Sequence, residues 1–150
     1  MIKQNPQTVL VTGGGRRIGR AISLALAEDG WQVAVHFNSS LEQATEVVDE
    51  ITNSGNIALA VHADLRDEEA VTSLIANISS KLMPVTAVIN NASIFEEDTV
   101  ENVTKGSWDR HLAINLRAPF ILTQSLAKNL NIGEKGNVIN IVDQRVENLT

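Results

Sequence analysis

A doubly wound parallel α/β sheet with strand order 3-2-1-4-5 is the fold class this sequence predicts. Five short apolar stretches alternate with helical patterns. The stretches are near-continuously apolar, as strands covered on both faces are. The connections between them are long enough for right-handed crossovers, which parallel strands require.

The first strand is read at Thr8–Val11. A helix over about Ile18–Asp29 follows, with Ile18, Ile22, Ala25 and Leu26 spaced by three and four, and Gly30 suits its C-terminal end. Val33–Phe37 is the second strand. Ser40 is placed to cap the second helix, with Gln43 completing a capping box, and that helix runs to about Asn53 before Gly55. Ile57–Val61 is the third strand. Asp67 is a suitable N-cap for a third helix ending before Pro84, with Glu68 and Glu69 in its first turn. Ala87–Asn90 is the fourth strand. A polar stretch, Glu96–Gly106, leads to a long helix from about Ser107 to Asn131. Asn137–Val142 is the fifth strand, and Asp143–Thr150 reads as a polar loop. Val142 would end an edge strand. An uncovered parallel edge is unusual, so the chain is expected to be part of something larger.

At 150 residues one domain with a sizeable core is expected. No apolar stretch approaches the ~18 residues of a membrane span, and Lys3 in the polar opening Met1–Gln7 is followed by no signal-like segment. The sequence contains no cysteine, which excludes a disulfide framework, a Cys-based zinc site and a thiol nucleophile. A cytoplasmic location is compatible with that, and no metal site is expected. The net charge of −6 disfavours a broad nucleic-acid surface.

The chemistry is carried first by Thr12-Gly13-Gly14-Gly15-Arg16-Arg17-Ile18-Gly19. A glycine-rich turn between a strand and a helix aims backbone N–H groups at one spot, beside the positive end of the helix dipole. That spot suits a pyrophosphate and predicts a Rossmann-like dinucleotide site. A tight turn with incidental glycines is the plainer alternative. Two adjacent arginines at a helix N-terminus are a poor purely structural choice, because the dipole repels them. A guanidinium in a phosphate loop instead offers forked, permanently charged donors. The end of the second strand, His36-Phe37-Asn38-Ser39-Ser40, lacks the carboxylate that NAD binders place about 20 residues past the loop. Hydroxyls, an amide and Arg16 can bond a 2′-phosphate, so NADP(H) is expected over NAD(H).

These residues resemble the short-chain dehydrogenase/reductase family, whose loop runs Thr-Gly, three residues, Gly, one residue, Gly. Thr12, Gly13 and Gly19 match, while Arg17 stands in place of the middle glycine. That departure is similar to the pteridine reductases and their dihydrofolate- or dihydromonapterin-reducing relatives. The resemblance implies that Arg17 reaches both cofactor phosphate and substrate. Asp64, with Leu65, would border the adenine, a loop or capping aspartate being the alternative. Asn90-Asn91-Ala92-Ser93 resembles the family's Asn-Asn-Ala-Gly motif, so Asn91, Ala92 and Ser93 would lie along the cofactor. Phe95 would stack on a pterin-like substrate, unless it is a core residue. Asn115 aligns with the helix asparagine whose main chain anchors a water in the proton relay. Pro119 independently predicts a carbonyl at Asn115 without its helical partner. Asp143 stands where most relatives have serine and pteridine reductases have aspartate, and it can accept from a pterin amino group or share in proton delivery.

The resemblance also implies a tyrosine that donates the proton and, with three residues between them, a lysine that lowers the tyrosine pKa and binds the ribose. The sequence contains no tyrosine, and the pair is expected shortly beyond Thr150. A longer reductase, tetrameric like its relatives, and a short chain that binds nucleotide without turnover both stay open. An aliphatic carbonyl reductase, such as a 3-oxoacyl thioester reductase, is the alternative activity.

Overall fold

The computed structural model describes residues 7–143. Five parallel strands form one sheet in the order β3-β2-β1-β4-β5, as the sequence predicts. They are β1 (Thr8–Val11), β2 (Gln32–Phe37), β3 (Ala58–His62), β4 (Val85–Asn90) and β5 (Asn137–Asn140). The helices between them are α1 (Arg17–Glu28), α2 (Leu41–Asn53) and α3 (Glu68–Ser79), followed by α4 (Lys105–Leu112) and α5 (Ala118–Asn129).

Alternation along each strand divides the core between the two faces. Val9, Val11, Val33, Val35, Ala87 and Ile89 face α1 and α2, where Val47 and Ile51 close the layer. Leu10 and Val88 face α3 and α5 and pack with Leu74, Ile75, Ile78 and Leu122. Most of these side chains are fully buried, each contributing about 1.5–3 kcal/mol of apolar transfer. β1 lies at the centre, with Val9 beside Val33 of β2 and Leu10 beside Val88 of β4. Its C-terminal end therefore opens between two neighbours whose connections leave to opposite faces, the place where such sheets bind ligands.

Four local expectations are corrected. Ser40 precedes α2, but its side chain makes no capping bond: its ψ of 56° departs from the extended value that aims a hydroxyl at the following N–H groups. The single long helix expected over Ser107–Asn131 is two helices joined by a π turn at Ala113–Arg117. Pro119 has no N–H to give, and the widened turn lets the N–H of Ala118 reach the Ala113 carbonyl five residues back. α4 also starts earlier than expected, because Thr104 Oγ1 accepts from Ser107 N at 3.1 Å. β5 is shorter than expected. Ile141 N still donates to Asn90 O at 2.9 Å, after which the chain leaves the ladder. All four β5 residues are exposed. Asp67 caps α3 as expected, accepting from the N–H groups of Glu69 and Ala70.

Among the described residues no helix is long and apolar enough to cross a membrane, and no group of His, Asp and Glu could hold a metal ion. The expected loop after Asp143 lies outside the described residues.

Candidate functional site

A cleft of about 570 Å³ opens at the C-terminal ends of β1, β2, β4 and β5. Gly13, Arg16, Arg17, Ile18 and Gly19 form one wall, and Phe37, Asn38, Ser39 and Ser40 extend it past β2. Leu65 lines it beyond β3. Asn91, Ala92 and Ser93 line it beyond β4, and Asp143 beyond β5. Fourteen positions singled out from sequence are thus gathered from the ends of five strands into one cavity.

The glycine loop is fixed by its neighbours. Gly13 has φ +63°, a left-handed conformation that suits glycine. A Cβ on Gly19 would lie 2.2 Å from the Gly13 carbonyl oxygen and 2.6 Å from Asn91 Nδ2, so the helix start and the loop touch backbone to backbone. Thr12 Oγ1 donates to Ile89 O at 3.2 Å and accepts from Asn91 N at 2.9 Å and Ala92 N at 3.0 Å. Asn91 Nδ2 donates to Thr12 O at 2.9 Å. The loop and the Asn-Asn-Ala-Ser segment are therefore one hydrogen-bonded unit.

Arg17 has φ +49°, the one described non-glycine residue at positive φ. It occupies a backbone conformation that favours glycine, at a cost of about 1–2 kcal/mol. Arg16 and Arg17 are exposed on the cleft. Among the described residues neither is ion-paired, whereas Arg20, Arg66, Arg110 and Arg117 each hold a carboxylate.

The remaining expected residues are placed differently. Asp64 does not line the cleft. Its carboxylate takes both Nε and Nη2 of Arg66, at 3.0 and 2.5 Å, and Arg66 N at 2.9 Å. The guanidinium bonds hold this carboxyl below the usual range. Phe37 lines the cleft but is mostly a core residue, 8% exposed and tilted against His62 at 5.4 Å. Phe95 is 75% exposed, so it is no core residue, and it sits outside the cleft lining beside Ile94, which is part of it. The Asn115 side chain grips the peptide of Ile94 from both sides, accepting from Ile94 N and donating to Ile94 O, each at 2.9 Å. Glu96 N donates to His111 Nε2 at 3.1 Å, and Arg110 clasps the Glu96 carboxylate with two bonds. Phe95 is thereby bracketed by two anchored residues.

The cradle fits a dinucleotide. The loop is close-packed where a side chain would fill it, two guanidiniums are uncommitted to acids, and no carboxylate stands at Asn38, Ser39 or Ser40. A family model for short chain dehydrogenase matches residues 7–145. The chain belongs to the short-chain dehydrogenase family. Its curated relatives include the uncharacterized oxidoreductase YgfF of Escherichia coli, 38% identical over 136 residues that make up 88% of this chain and 55% of the relative. The 3-oxoacyl-acyl-carrier-protein reductase FabG of Staphylococcus aureus is 33% identical over 135 residues, 90% of this chain and 55% of the relative. Among solved structures, FolM alternative dihydrofolate reductase 1 from Brucella canis, complexed with NADP, superposes with a TM-score of 0.91 and 42% identity, covering 96% of this chain and 57% of that one. The chain thus spans little more than half the length of these relatives. Several of the solved structures that this chain resembles are complexes with NADP or NADPH.

Sequence reasoning missed His36 as a residue of this cleft. His36 is 2% exposed and reaches the cleft. Its Nδ1 accepts from Gly13 N at 3.1 Å, which leaves Nε2 to donate to Ala63 O at 3.0 Å. The available signal was a lone polar residue in an otherwise apolar strand. Ile94, Ile114, Ile141 and Val142 also line the cleft, but nothing in their spacing sets them apart from core residues.

Burial pushes the His36 imidazole down from 6.5 to about 4, with nearby His62 adding and the bond to Ala63 O opposing. As pH falls below 6.5 the unfolded chain takes up a proton that the folded chain refuses until about 4. The corresponding stability is fully present above that window and withdrawn across it, about 3 kcal/mol for this residue. Denaturant unfolding at a series of pH values is expected to show stability rising with pH there, and His36→Asn should flatten that slope. An unchanged slope in the variant would show that His36 is not its source.

Proposed function

We propose that this cleft holds NADPH and that the protein is a short-chain reductase of a pteridine- or dihydrofolate-type substrate. The carrying observation is the pair of acid-free guanidiniums on the glycine loop, with Arg17 held at a glycine-like φ. A strained arginine is retained where its charge has work to do. The likeness to a dihydrofolate reductase at 42% identity supports the substrate class. Bound NADPH would supply a hydride to the carbon of a ring C=N, and the ring nitrogen would take up a proton, completing the reduction to CH–NH.

The residues divide the task. Gly13, Arg17, Ile18 and Gly19 hold the pyrophosphate. Asn38, Ser39, Ser40 and Arg16 hold the 2′-phosphate. The uncapped Ser40 hydroxyl is not spent on α2. Leu65, which lines the cleft beyond β3, packs on the adenine. Asn91, Ala92 and Ser93 line the nicotinamide half. Phe95 offers an exposed ring for a flat substrate, a stacking contact of about 0.5–1.5 kcal/mol. Asp143 accepts from the substrate's amino group, and Asn115 fixes the segment that presents Phe95. The second reading, a ketone of an acyl thioester as substrate, is favoured by the likeness to FabG.

Titration of cofactor fluorescence is expected to show NADPH binding about tenfold or more tighter than NADH. Ser39→Asp should reverse the preference, because a carboxylate repels the 2′-phosphate. Equal affinities would place that phosphate outside the cleft. NADPH oxidation by the natively expressed protein, screened against dihydropteridines and acyl-thioester ketones, separates the two substrate readings. Turnover of ketones alone overturns the pteridine one.

A further inference from the structure

The end of β2 carries a device that the dinucleotide reading leaves unexplained. β2 is buried along its whole length, and His36 is its one ionisable residue. The ring lies between three walls of the cleft. Gly13 N donates to Nδ1 at 3.1 Å, Gly14 N donates to the His36 carbonyl at 3.0 Å, and Nε2 donates to Ala63 O at 3.0 Å. Two consecutive amides of the glycine loop are thus tied to one residue of a neighbouring strand. Ala63 precedes Asp64 and Leu65, so the same ring joins the phosphate wall to the wall beyond β3.

We infer that His36 is a positioning residue for the cofactor: its bare Nδ1, by accepting from Gly13 N–H, sets the path of the glycine loop before that loop reaches Arg17. The inference rests on the dinucleotide reading of the cleft. A loop that holds phosphates through its backbone works only if its peptide planes are fixed beforehand. Gly13, left-handed at φ +63°, has no side chain to hold it, so the restraint must come from outside. The hydroxyl of Thr12 holds the loop toward β4, and His36 holds it toward β2. The role requires an acceptor at Nδ1, which only the Nε2–H tautomer of neutral imidazole provides.

Two substitutions separate the two ends of the ring. Asparagine places its oxygen as many bonds from the backbone as Nδ1, and glutamine places its amide where Nε2 stands. His36→Asn keeps an acceptor for Gly13 and loses the reach to Ala63. His36→Gln does the reverse. Both remove the ring from the same buried place, so a merely structural role predicts equal effects.

In NADPH titrations of the 150-residue chain, with thermal midpoints measured alongside, His36→Asn is expected to bind about tenfold or more tighter than His36→Gln. The ratio of NADPH to NADH affinity should stay as in wild type, because the loop acts on the pyrophosphate common to both. Equal affinities of the two variants, whether retained or lost, overturn the inference and leave the cofactor reading standing. A wild-type chain that fails to bind NADPH overturns the cofactor reading and the inference with it. Should the variants not fold, ring-nitrogen NMR of the wild type decides. A protonated Nδ1 overturns the inference, and an unprotonated Nδ1 with a slowly exchanging Gly13 amide supports it.

Discussion

Gly19→Ala is expected to abolish measurable NADPH binding and to destabilise the fold by about 2–3 kcal/mol, the scale of an overpacked site. The added methyl would stand 2.2 Å from the Gly13 carbonyl oxygen and 2.6 Å from Asn91 Nδ2. Neither atom can give way cheaply. Gly13 is backbone, pinned through its N–H to His36, and the Asn91 amide is bonded to Thr12 O. Relief would have to come from tilting the start of α1 away from the loop, which spreads the cradle and misaims its amides. A denaturant midpoint and a cofactor titration on one sample read both effects. Wild-type affinity in a folded variant would show that the α1–loop contact is not part of the cofactor cradle.

Arg17→Gly is expected to move stability and binding in opposite directions. At φ +49° the arginine carries about 1–2 kcal/mol of backbone strain that glycine would not. Glycine's extra freedom in the unfolded chain takes back about 0.4–1 kcal/mol of that. The variant should therefore be slightly more stable, by roughly 0.5–1 kcal/mol. Losing the guanidinium should weaken NADPH binding by about 1.5–3 kcal/mol, the scale of a charge-assisted contact. Arg17→Ala, which keeps the strain and loses the charge, should lose the affinity without the gain in stability. If Arg17→Gly binds as tightly as wild type, the arginine points to solvent and the phosphate reading of the loop is overturned.

Much of the cleft was legible because its chemistry is local in sequence. The glycine run, the acid-free end of β2 and the small residues after β4 each fall within one strand-to-loop junction. The alternation of the fold then guarantees that all these junctions meet at one edge of the sheet. What escaped depends on partners distant in sequence or on backbone angles. Ser40 and Gln43 have the spacing of a capping box, but the entry angle of α2 turns the hydroxyl away. Asp64 is engaged by Arg66, two residues on, in a geometry that spacing does not reveal. His36 showed only as a polar residue in an apolar strand; its two partners come from a loop 23 residues before it and a strand end 27 after it. Pro119 signalled a defect in the long helix without saying that it takes the form of a π turn. Phe95 could be read as core or as ligand surface until its exposure was known.

The bonds between Thr12 and Asn91 join residues 79 positions apart. A strand-loop-helix unit made only of β1 and α1 has no such fastening, so it cannot present the cradle by itself. Closing so long a stretch of chain is an entropic cost met before any reward is collected, which makes assembly of such sheets slow. Nucleotide added to a refolding sample therefore meets a glycine loop without its Asn91 fastening until β4 has docked beside β1. It traps the finished sheet rather than guiding its construction, and speeds no step that precedes that docking.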